Sequence, residues 1–130
     1  MLTINEEQMK VFKQLQFQKL KQQIAKVLSD EVKEWNQFDS KKQAQLVEFL
    51  FNEAQKAKMI FDTEFILFAL VCMCSNDGCQ VFLGRGDVEN TLLDEEIGNE
   101  EKLIKLSGLT TIKIKKKEKS WEIKRRENSV

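Results

Sequence analysis

Apolar residues recur at helical spacing along most of this chain, and three different patterns predict three different helices. In residues 4–29, Met9, Phe17, Leu20, Ile24, Val27 and Leu28 fall on one broad face at about 100° per residue. Ile4, Val11 and Leu15 fall on a second face. A helix with two apolar stripes packs against two neighbours, or against one neighbour and a partner protein. Thr3 with Glu6, and Asn5 with Gln8, carry the spacing of a capping box at its start. Trp35 and Phe38 follow in the connection, where they are expected to lid the core. Residues 40–58 carry a single stripe of Leu46, Val47, Leu50, Phe51, Ala54 and Ala57. This predicts an ordinary amphipathic helix, capped by Asp39 or by Ser40 with Gln43 three residues on.

The third pattern is the run FDTEFILFALVCMC at residues 61–74, apolar on every side from Phe65 onward. Asp62 or Thr63 can cap it, and Glu64 suits the positive end of the helix dipole. Ten helical residues rise about 15 Å, half of the roughly 30 Å hydrocarbon core of a bilayer. The run is therefore too short to span a membrane, and it predicts a helix enclosed by its neighbours. Residues 75–87 read as a loop, because Asn-Asp-Gly and Gly-Arg-Gly are turn chemistry. Asp87 is placed to cap a short helix through Glu95, and Asn99 another through Leu106 closed by Gly108. From Leu109 the chain turns basic. TTIKIKK alternates like a strand, whereas KSWEIKRREN fits strand, helix or frayed tail. The expected architecture is an all-α bundle of about five helices in residues 1–108. Residues 109–130 are then a basic tail that forms at most a small hairpin.

Composition removes much of the familiar chemistry. The chain has 130 residues with Lys plus Arg equal to Asp plus Glu at 21 each, so no net field draws it to nucleic acid or membrane. It contains no histidine, which removes Ser–His and Cys–His arrangements and most zinc sites together. The opening MLTINEEQ lacks the basic start and apolar stretch of a signal peptide, so the expected location is the cytoplasm. Cys72, Cys74 and Cys79 supply three ligands where structural zinc wants four, and they read as small buried hydrophobes. GRGD at residues 84–87 lacks the third glycine of a dinucleotide motif and the GK[ST] of a phosphate loop. No catalytic residue, cofactor or metal ligand set is expected.

Charge is segregated. Asp87, Glu89, Asp94, Glu95, Glu96, Glu100 and Glu101 are seven acids without an intervening base. The tail then carries Lys113, Lys115, Lys116, Lys117, Lys119, Lys124, Arg125 and Arg126. One reading is a solvated acidic face onto which a solubilising tail folds back; the other is a bipolar docking surface weakened by salt. Trp121 could stack on a base, but the acidic neighbour and neutral total argue against nucleic acid.

The opening Ile4, Glu7, Gln8 and Phe12, followed by Ala54, Asp62, Glu64, Phe65 and the run to Met73, resembles a family of small helical bacterial proteins. These are encoded beside type VI secretion genes, near the VgrG spike, PAAR proteins and their effectors. The likeness covers residues 3–106; Lys58 and Asn76 stand where the pattern has glycine, and the basic tail lies outside it. It implies a non-enzymatic adaptor or chaperone-like protein that binds an effector or spike component. The alternative is an immunity protein that neutralises a cognate toxin. The residues expected to meet such a partner are Ile4, Val11 and Leu15 on the outer stripe, Asp87, Glu89, Asp94, Glu95 and Glu96, and Lys115, Lys116, Lys117 and Trp121.

Overall fold

The structure, a computed structural model, describes the backbone of residues 6–126 and the side chains of residues 14–126. Helix α1 (Glu6–Glu31) leads through a 3-10 turn (Lys33–Gln37) into α2 (Ser40–Lys56). Then come α3 (Asp62–Met73), α4 (Cys79–Leu83), α5 (Gly86–Leu93) and α6 (Asn99–Ser107). The described chain closes with a hairpin of β1 (Ile112–Lys116) and β2 (Trp121–Arg125). The fold is thus an all-α bundle with one small C-terminal hairpin.

Helix α3 occupies the centre, packed against α1, α2, α4 and α6. Its all-round apolar sequence requires this, because any exposed side would leave large hydrophobic surface in water. Phe68, Ala69, Leu70, Val71 and Cys72 are all buried. From α1 come Leu20, Ile24 and Leu28, and from α2 the expected stripe of Leu46, Val47, Leu50, Phe51 and Ala54. Phe17 meets Phe51 edge-on at 5.1 Å between ring centroids, and Lys21 bridges to Glu48 at 2.8 Å, which sets α1 beside α2. Trp35 is buried and Phe38 half-buried, ring against ring at 6.3 Å, as lids on the α1–α2 end.

Of the expected caps, that of Asp39 is formed, and several other local expectations are corrected. Asp39 caps α2 by accepting from the Lys42 N–H at 2.7 Å. Gln43 instead donates to the Trp35 carbonyl at 2.8 Å, tying helix to lid. Neither Asp62 nor Thr63 caps α3, because the helix already begins at Asp62, with Phe61 at the N-cap. Residues 75–87 are not all loop: α4 forms between Gly78, whose φ of 86° suits only glycine, and Gly84. Cys79 and Phe82, three residues apart on one helical side, are buried by it. Asp87 lies inside the first turn of α5, which ends at Leu93, and Asn99 is the first residue of α6 after Gly98 at the N-cap.

Of the alternatives for the C-terminal segment, the hairpin is formed. Ile112 pairs with Arg125 and Ile114 with Ile123. Ile112 and Ile114 are buried in the same cluster as α3, while Lys113 and Lys115 face out. Thr111 fastens the hairpin to the end of α3, its N–H and hydroxyl both donating to the Cys74 carbonyl at 3.1 and 2.9 Å. The Arg126 guanidinium donates to the Gly108 and Ser107 carbonyls, supplying positive charge at the C-terminus of α6.

Candidate functional site

The turn between α2 and α3 is built with more care than a plain connection needs. Helix α2 ends in a Schellman motif: the Met59 N–H donates to the Ala54 carbonyl at 3.1 Å, and the Lys58 N–H to Gln55 at 3.0 Å. This winding puts Lys58 at φ 64°, the one non-glycine residue with positive φ among the described residues. Met59 turns inward and is buried. The chain then reverses, and the next two side chains, Ile60 and Phe61, point into solvent at 72% and 66% exposure.

A buried carboxylate holds these two residues in place. Glu64, only 7% exposed, accepts from the Ile60 N–H at 2.8 Å and the Phe61 N–H at 3.2 Å. It thereby satisfies amides left open just ahead of α3, the bond that an acid three residues into a helix makes in a capping box. Asn99, at the start of α6, donates through Nδ2 both to Glu64 Oε1 and to the Lys58 carbonyl, each at 3.1 Å. Three elements therefore converge on one polar node beneath an apolar tip.

Two depressions open beside the turn, one reaching Ile60 and the other Ala57 and Lys58. One, of about 400 Å³, has Phe17, Leu20, Met59, Ile60 and Phe65 in its walls. The other, of about 370 Å³, is formed by Ala57, Leu83, Leu92 and Leu93, rimmed by Glu53, Glu89, Glu95, Lys56 and Lys58. Lys102 is buried at its edge, donating to the Leu92 carbonyl at 2.8 Å and so closing the end of α5. The chemistry offered is that of contact: apolar projections, apolar hollows and a rim of both charge signs.

No family model matches the chain, and no curated protein or solved structure matches it.

The residues expected from sequence to meet a partner are scattered. Ile4 and the side chain of Val11 lie outside the described residues, while Leu15, on the α1 face opposite the core, is 57% exposed. Asp87 is engaged by Arg85 at 2.7 Å, which holds its carboxyl below the usual carboxylate range. Asp94 turns back to accept the Glu96 N–H at 2.9 Å, and Glu96 itself is exposed. Glu89 and Glu95 do reach the rim beside the tip. The acidic segment and the basic hairpin meet through Lys116 and Glu100 at 3.6 Å, the one ion pair between them among the described residues. Lys115 is exposed, and Lys117 pairs within the hairpin to Glu122 at 2.6 Å. Trp121 is half-buried with Lys116 over its ring at 5.1 Å, so one of its faces is already taken.

The cysteines do not form a reactive centre. Burial pushes the Cys72 thiol well above its ordinary range, reinforced by the neighbouring Cys79, Glu53 and Cys74. Burial also raises Cys74 and Cys79, against weaker opposing contributions from Arg125 and Thr111 at Cys74. All three are thereby held as thiols at neutral pH, the less nucleophilic form. Among the described residues no three potential ligands gather as a metal site would require, and no helix is long and apolar enough to cross a membrane.

Ile60 and Phe61 were not singled out from sequence. They look like the start of the apolar run that becomes α3, and exposure is decided by the turn that precedes them. The available signal was Lys58, at the position where the resemblance has glycine.

Proposed function

We propose that this chain is a non-enzymatic protein-binding accessory protein, an adaptor or chaperone-like component of a bacterial type VI secretion system acting in the cytoplasm. It binds an effector or spike component through the α2–α3 tip. The observation that carries the binding role is the adjacent exposed pair Ile60 and Phe61, held rigidly by Glu64 and Asn99. Single exposed apolar residues are ordinary on a protein surface, but an isoleucine and an aromatic side by side on a braced turn have the make-up of an interface anchor. Bracing matters energetically, because a tip already ordered loses little further entropy on binding. Glu89, Glu95, Lys56 and Lys58 then form a charged rim that orients the partner. The assignment to secretion is supported by the resemblance over residues 3–106.

The test is co-expression of tagged protein with the products of its neighbouring genes, as wild type and as an Ile60→Ser/Phe61→Ser double variant. The variant should melt within a few degrees of wild type, since both side chains are exposed, yet lose the co-purifying partner. Undiminished capture by a folded double variant would overturn the reading. Rescue of cells from a toxic neighbour would move the function to immunity, whereas a change in the partner's solubility or secretion without rescue supports the adaptor role.

A further inference from the structure

The hairpin has two long edges, and the structure treats them differently. Arg126 N–H donates to the Thr111 carbonyl and Lys117 N–H to Ser120, which fixes the bonded pairs of the ladder. By the alternation of antiparallel pairing, Ile112, Ile114 and Lys116 turn their backbone groups away from β2, and Trp121, Ile123 and Arg125 turn theirs away from β1. On the β1 side the two isoleucine N–H groups are answered from the residues before the strand. Ile112 N–H reaches Thr110 Oγ1 at 3.2 Å, whose own proton goes to the Ser107 carbonyl at 2.9 Å, and Ile114 N–H reaches Ser107 Oγ at 3.5 Å. On the β2 side the N–H and C=O of Trp121, Ile123 and Arg125 have no partner among the described residues. Among the described elements, β2 packs extensively against β1 alone.

We infer that β2 is a docking edge for an extended acidic segment of a partner protein, which adds to the hairpin as a third, edge strand. An open row of alternating donors and acceptors is the template that strand addition uses. Charge selects the occupant. Residues 109–126 carry eight cations against Glu118 and Glu122, in a chain whose total is neutral. Lys113, Lys115, Lys117 and Lys124 share the outer face with Glu122. Lys117 and Lys124 are spent on Glu122, at 2.6 and 3.0 Å, whereas Lys113 and Lys115 meet no carboxylate within 4.0 Å among the described residues. A strand laid on β2 presents alternate side chains to that face, with Lys124 beside it and Lys113 and Lys115 one strand further in, so acids at those alternate positions suit it. Its intervening residues meet the half-buried Trp121 and Ile123 and should be apolar. A second copy of this chain would instead set two basic hairpins edge to edge, which like-charge repulsion opposes. The inference stands apart from the apolar tip and does not depend on it.

The probe is an end-blocked peptide of alternating glutamate and valine, added to the full chain at low salt and followed by backbone amide exchange. The amides of Trp121, Ile123 and Arg125 should become protected, while those of Glu122 and Lys124, already bonded to β1, stay as they are. Binding should weaken with added salt, and a lysine–valine peptide should not bind. Ile123→Pro deletes the central outward N–H without touching the β1 ladder, and should weaken binding about three- to tenfold. Peptide binding without the alternate-residue pattern would overturn strand addition. So would equal binding of the lysine peptide, or the three amides being protected in a dimer before any peptide is added. Displacement of the peptide by an oligothymidylate that binds more tightly would reassign the basic face to nucleic acid.

Discussion

Replacing Glu64 with alanine tests whether the node beneath the tip is what holds it. The substitution removes the acceptor of two backbone N–H groups and one amide N–H, at 2.8, 3.2 and 3.1 Å. Loss of a single helix-capping acceptor costs about 1 kcal/mol, and hydrogen bonds to a charged partner are worth about 1.5–3 kcal/mol each. Relief from holding a carboxylate out of water offsets part of this, so the net loss should be about 2–4 kcal/mol. For a domain of this size that lowers the melting temperature by roughly 10 °C without abolishing folding. Glu64→Gln keeps one acceptor oxygen but no charge at the start of α3, and should lose only about 1 kcal/mol. Asn99→Ala should cost about 1–2 kcal/mol, because Nδ2 also serves the Lys58 carbonyl. Since the two side chains touch, the double variant should fall short of additivity by about 1 kcal/mol. Thermal denaturation supplies the energies, and amide exchange at Ile60 and Phe61 reports the turn itself. A Glu64→Ala loss below about 0.5 kcal/mol, the level of an ordinary surface change, with unaltered exchange at those amides would refute the reasoning.

Three further outcomes can be checked by ordinary biophysics. Lys58→Gly should stabilise the chain by about 1 kcal/mol, since glycine escapes the left-handed penalty of φ 64° and its added chain entropy cancels only part of that gain; equal or lower stability in urea denaturation would contradict it. Phe68→Asp places a charge where the wild-type ring is 1% exposed and should leave the protein unfolded by circular dichroism, while Cys74→Ser, at a half-buried position, should fold with native spectra. Glu122 is pulled from the ordinary 4.5 to about 2 by hydrogen bonds from Lys117 and then Lys124. Because the folded value lies below the unfolded one, its stabilisation is complete above about pH 4.5 and fades as pH falls toward 2. Its carboxyl resonance should titrate near 2 and move upward in high salt; a midpoint near 4.5 in low salt would remove the two lysine contacts.

The helices that were legible in the sequence are those whose burial is dictated by their own composition. A single stripe from Leu46 to Ala54 leaves α2 one way to pack, and an all-apolar α3 leaves only the centre. The alternation around Ile112 and Ile114 likewise fixes which side of β1 faces the bundle. Short elements were less legible, because α4 is a single turn hidden among glycines and announces itself only through Cys79 and Phe82. The candidate site was largely illegible for a different reason. Ile60 and Phe61 have the composition of core, and their exposure follows from chain reversal at Lys58 and from Asn99, a residue far along the chain. Charge segregation was visible as a list of residues, yet distances between them were not. Asp87 turns out to be occupied by its neighbour Arg85, and among the described residues only Lys116 crosses from the hairpin to the acidic segment.

The position of Glu64 ties stability to the proposed role. An isoleucine and a phenylalanine on a slack turn would fold further into the nearest apolar surface, here the depression that Ile60 edges together with Phe17, Met59 and Phe65. Keeping them out requires a fixed backbone, and a fixed backbone at a helix start needs an acceptor for its open amides. The N-cap is Phe61, whose side chain has no acceptor for the first turn, and there the Glu64 N–H is met by the Phe61 carbonyl at 2.9 Å. The amides ahead of the helix, those of Ile60 and Phe61, are met by Glu64, which is anchored from α6 by Asn99 because a lone buried carboxylate would be poorly satisfied. An apolar residue in place of a capping one lowers local stability unless another group holds the turn. The coincidence of a missing side-chain cap, a buried carboxylate holding the backbone ahead of the helix and two exposed apolar side chains is what makes the tip, rather than the cysteine-rich helix behind it, the place where a partner should be sought.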